Sequence, residues 1–92
     1  MASNSIFRIT NYEIVNNEHI VTFMEQHRDF NKVLSAAVPV SPDDGTLEDV
    51  AAVAWTMVRD EFDAWRASVN ASQSIVRRFF EVDPQGNLVF LV

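Results

Sequence analysis

From Leu47 to about Asn70, apolar side chains return at helical spacing for some six turns, roughly a quarter of a 92-residue chain. On a wheel advancing about 100° per residue, Leu47, Val50, Ala51, Ala54, Met57, Val58, Phe62, Trp65 and Val69 form one broad stripe, with Trp55 on its border. Asp49, Asp60 and Asp63 take the opposite side, where Arg59 and Arg66 stand within reach of Asp63. Pro42-Asp43-Asp44-Gly45 is turn chemistry, and Thr46-Leu47-Glu48-Asp49 resembles a capping box. Aspartate is short for the reciprocal bond of that motif. A helix of this length with one apolar side must be matched by other elements that bury it.

The remaining segments are read as follows. Ile6 to Val15 is β-branched and aromatic, but its alternation changes phase: Phe7 and Ile9 share one side, Tyr12 and Ile14 the other. A bulge near Thr10 and Asn11 reconciles the halves, because one extra residue moves every later side chain to the opposite face. Asn16 and Asn17 then offer an N-cap, and Ile20, Phe23, Met24, His27, Phe30, Leu34 and Ala37 follow the i, i+3, i+4 template. This predicts a first helix ending near Val38, before Pro39. The competing reading pairs Glu18 to Met24 back on the first strand across an Asn-Asn turn, and leaves the helical spacing beyond Met24 without a cause.

After the polar stretch Asn70 to Ser74, Ile75 to Val82 is expected to be a strand, Asp83-Pro84-Gln85-Gly86-Asn87 a turn, and Leu88 to Val92 a closing strand apolar on both sides. The predicted architecture is α+β: a single two-layer β-α-α-β-β domain spanning 1–92, with two helices packed on a small antiparallel sheet that ends in a C-terminal β-hairpin. Such a sheet has more apolar side chains than the helices can cover, since successive strand residues point in opposite directions.

Composition narrows the chemistry. With 48% hydrophobic residues and only two glycines and three prolines, the chain has the makings of a core and not of a disordered segment. Cysteine is absent, which removes disulfides, thiolate zinc sites and cysteine nucleophiles. No stretch reaches the roughly 18 apolar residues of a membrane span, and Met1-Ala2-Ser3-Asn4-Ser5 has no basic n-region, so a cytoplasmic protein without a membrane partner is expected. The net charge of −6 disfavours nucleic acid phosphates as a partner. Seven acids and two arginines between Ser41 and Asn70 concentrate that charge.

Motifs for catalysis are thin. His19 and His27 would lie about 12 Å apart on the predicted first helix, too far to share a metal, and His27 falls on its apolar stripe as a hydrogen-bonded core histidine would. Asp43, Asp44 and Gly45 lack the later glutamate of a calcium loop, and Gly45 and Gly86 are each accounted for by a turn. Arg77-Arg78-Phe79-Phe80 has the cations and rings of a base-stacking strand without the glycines of its signature. Glu61 stands inside the apolar stripe, where a carboxylate must be paired, neutralised or wetted.

No enzymatic activity, metal or cofactor is expected. The function that the residues favour is a small non-enzymatic interaction or assembly protein, a homodimer or the partner of another protein, using an apolar surface of Ile75, Phe79, Val89, Phe90 and Leu91. One alternative is an acidic inhibitor that imitates nucleic acid with Asp43, Asp44, Glu48, Asp49, Asp60 and Asp63 and blocks a basic groove. Another is a small enzyme or ligand carrier with Glu61 and His27 in one pocket.

Overall fold

The computed structural model describes residues 5–91 and contains five strands and one helix. Strands β1 (Ser5–Val15), β2 (Glu18–His27) and β3 (Phe30–Pro39) form an antiparallel meander in the order β1-β2-β3. Helix α1 (Leu47–Ser72) crosses one face of it. Strands β4 (Phe80–Val82) and β5 (Leu88–Phe90) pair only with each other, as a separate hairpin beyond the end of the helix.

The two-helix architecture is therefore corrected: the segment expected to be the first helix is the β2–β3 hairpin. Asn16 and Asn17 adopt φ of 51° and 63°, the two left-handed residues that a two-residue turn between twisted strands requires. Asparagine tolerates that conformation better than most residues, so the pair closes a hairpin instead of capping a helix. The helical spacing was a coincidence of two faces. His19, Val21, Phe23, Glu25 and His27 point to the helix, whereas Ile20 and Met24 point away, so Ile20, Phe23, Met24 and His27 mimic a 3.6 period while dividing between both sides. The polar members of the inner row hid the period of two.

The kink in β1 is present where the phase change placed it, with the register against β2 shifting between Ile9 and Asn11. Phe7, Ile9, Tyr12 and Ile14 then stand opposite Glu25, Phe23, Val21 and His19, all on the helix-facing side.

Helix α1 begins at the predicted residue and runs two residues further than expected. Its capping box is complete, with Thr46 Oγ1 accepting from the Asp49 amide at 3.2 Å and Asp49 Oδ2 accepting from the Thr46 amide at 3.0 Å. Val50, Ala54, Val58 and Phe62 descend on Val21, Phe23, Ala36 and Val38 to make the core, with Leu34 and Trp55 at its margin. The buried stripe is narrower than the wheel suggested: Leu47 and Met57 are exposed, because the helix lies mainly over β2 and β3 and meets β1 chiefly at Phe7.

Beyond α1, Ile75 and Val76 sit in turns, so the strand expected from Ile75 is reduced to three residues. The predicted turn does join β4 to β5: Asp83 Oδ1 accepts from the amides of Gln85 and Asn87, and Gly86 takes φ 87°. The last residue of the expected closing strand, Val92, lies outside the described residues. The molecule measures 65 × 34 × 17 Å with a radius of gyration of 19.3 Å. A compact chain of this length has about 12 Å.

Candidate interaction surface

Two apolar surfaces lack cover from the other described residues. The first is the β4–β5 arm, whose cross-strand pairs Phe80–Phe90 and Val82–Leu88 put four apolar side chains on one face. All four are exposed, and neither strand touches another element among the described residues. The guanidinium of Arg78 lies 4.3 Å from the centre of the Phe90 ring. Every residue expected to form the interface, namely Ile75, Phe79, Val89, Phe90 and Leu91, is on this arm or its approach and is exposed, Phe79 to 79%. They do not form the back of a helix-covered sheet, as the sequence suggested, because the hairpin separates from the main sheet.

The second surface is a trough between β1 and α1, which sequence reasoning missed as a site. Its wider end is an open concavity of about 510 Å³ lined by Phe7, Arg8, Ile9, Phe23 and Trp55. Its narrower end lies among Ile9, Tyr12, Val21, Leu47, Glu48 and Ala51. Trp55 is fixed by edge contacts from Phe7 and Phe23, each at 5.5 Å between ring centres, and by stacking on Phe62. The signal for this trough was the phase change in β1, which with a bulge aligns four apolar residues on one face.

Polar residues on the inner row of β2 hold the helix in place at both ends. His19 reaches Tyr12 Oη with Nδ1 and Asp44 Oδ2 with Nε2, each at 2.7 Å, tying β1 to the loop before α1. His27 reaches Ser5 Oγ and Asn70 Oδ1 at the same distance, tying β1 to the end of α1. The two rings stand at opposite ends of a strand, about 27 Å apart along it, and not two helical turns apart as predicted. Hydrogen bonds to the Ser41 amide and to His19 hold the Asp44 carboxyl below the ordinary range.

Glu25 is the buried carboxylate, not Glu61. It is fully buried and accepts from Arg66 Nε at 2.5 Å, Arg66 Nη2 at 3.0 Å and Ser5 Oγ at 2.6 Å. Its hydrogen bond raises the already high pKa of Arg66, with Asp63 adding to the effect. Among the described residues no buried side-chain nitrogen or oxygen is left without a partner, so this cluster is arranged to be satisfied. Glu61 is exposed on α1, and His27 bonds Ser5 and Asn70 instead. No group of three metal-ligating side chains occurs among the described residues.

The acidic face is partly engaged within the chain. Asp44 binds His19, Asp49 completes the cap, Asp63 meets Arg66 at 2.9 Å, and Asp60 lies 3.9 Å from Arg59. Asp43 and Glu48 are exposed. No helix among the described residues is long and apolar enough to cross a membrane. No protein family, curated protein or solved structure matches this chain.

Proposed function

We propose that this is a non-enzymatic protein that works by self-association, with the β4–β5 arm as its interface. The observation that carries the reading is the arm itself: three-residue strands with apolar side chains on both faces and no cover from another element among the described residues. An isolated two-stranded hairpin is at best marginally stable in water, so a partner surface is what gives this one a reason to persist. The accessible surface supports the same reading. At 6863 Å² it exceeds the roughly 5,400 Å² of a compact monomer of this mass by about 1,500 Å². Pooled over two chains, that excess falls in the range of permanent interfaces, about 2,000–5,000 Å².

The acidic-inhibitor alternative draws less support, since Asp44 and Asp49 serve the loop and the helix cap. Sedimentation velocity at micromolar concentration tests the main reading. The wild-type chain is expected at twice its 10.4 kDa mass, and Phe79→Asp with Phe90→Asp at one times that mass with unchanged helical circular dichroism. A wild-type chain that stays monomeric overturns it.

A further inference from the structure

We propose that the arm of one copy seats in the β1–α1 trough of a second copy, reciprocally, so that one two-fold operation covers both apolar surfaces of each chain. This rests on the self-association reading and adds the receptor site. The argument is one of pairing. Each chain carries an uncovered apolar hairpin face of Phe80, Val82, Leu88 and Phe90, and an uncovered apolar trough floored by Phe7, Ile9 and Trp55. Packing arm on arm leaves the troughs wet, and packing trough on trough leaves the arms wet. Exchange covers both, and an isologous contact of that kind closes at two chains without a free end.

Charge disfavours the trough-on-trough alternative. Residues 41–70, which include the loop before α1 and most of the helix, carry a net charge of −5, so laying two troughs together sets two acidic helices side by side. The arm from Gln73 onward is neutral, so seating it in the trough sets no net charge against the acidic helix; Glu48 lines one end of the trough and Arg8 the other. Shape is consistent with it as well. The helix accounts for about 39 Å of the 65 Å molecule, so the arm projects well past the body instead of folding onto its own trough.

The absence of native cysteine makes a crosslinking test unambiguous. Ile9→Cys marks the trough and Leu88→Cys marks the arm; both positions are more than half exposed, so neither substitution opens the core. Each single variant, and their equimolar mixture after exchange, is treated with a short bismaleimide, and the wild-type oligomeric state is measured in parallel by sedimentation. Exchange predicts a covalent dimer in the mixture and none in either variant alone. A covalent dimer of Ile9→Cys alone means trough on trough, and one of Leu88→Cys alone means arm on arm. Either result, or no product from any sample while the wild-type chain is dimeric, overturns arm-in-trough seating and leaves self-association standing. A monomeric wild-type chain overturns both readings.

Discussion

Arg66 of α1 forks onto Glu25 of β2, its Nε 2.5 Å from one carboxylate oxygen and its Nη2 3.0 Å from the other. This bidentate pair is the deepest electrostatic contact between helix and sheet, with the Glu25 side chain fully enclosed and Arg66 about a quarter exposed. Removing one partner strands the other: Arg66→Ala leaves an uncompensated carboxylate and should cost about 3–5 kcal/mol in urea unfolding. Replacing both residues with methionine is expected to cost much less, since no charge is then left alone. Equal losses in the single and double variants would contradict this account.

The Asp44 contacts with the Ser41 amide and His19 give the chain an acid-sensitive tie between the sheet and the loop before the helix. Because Asp44 has a folded pKa below its ordinary value of 3.8, its contribution is complete above that value and is lost as pH falls through the lower, folded one. Asp44→Asn should therefore flatten the acid limb of the stability profile below about pH 4. Asp83, held low chiefly by the Asn87 amide, titrates in the same direction. The Asp44→Asn and Asp83→Asn profiles separate the two, as one reports on the body and the other on the arm.

The two glycines predict different outcomes. Gly45 has φ 73°, and a Cβ there would meet Asp49 Oδ2 at 2.5 Å, in the middle of the capping box. Gly45→Ala should destabilise the body by about 1–2 kcal/mol, through both backbone strain and loss of the cap. Gly86 has φ 87° with nothing within 4 Å of an added Cβ, so Gly86→Ala costs only the strain of about 1–2 kcal/mol. That cost falls on the arm, and on the proposed self-association its expected readout is a shift toward monomer in sedimentation, with body unfolding unchanged.

Phe62 is wholly buried between Trp55, Phe7 and the sheet. Phe62→Ala should remove about 3–5 kcal/mol, which is a large share of the total for a small domain. Thermal unfolding followed at the tryptophans should show the loss as a lower midpoint with a single transition.

Local chemistry was legible wherever neighbouring residues settle a conformation among themselves. The Asp83 to Asn87 turn, the bulge after Ile9 and the start of α1 at Thr46 each depend on contacts within a few positions, and each is found where its residues indicated. What tertiary structure alone decided is the conformation of residues 18–38, because a row containing His19, Glu25 and His27 is hydrophobic in effect only once Tyr12, Asp44, Ser5, Asn70 and Arg66 come from distant segments to satisfy it. The trough and the isolation of the arm were decided in the same way. A sequence shows which side chains must leave water, but which of them a single chain can cover depends on how far one helix reaches across three strands.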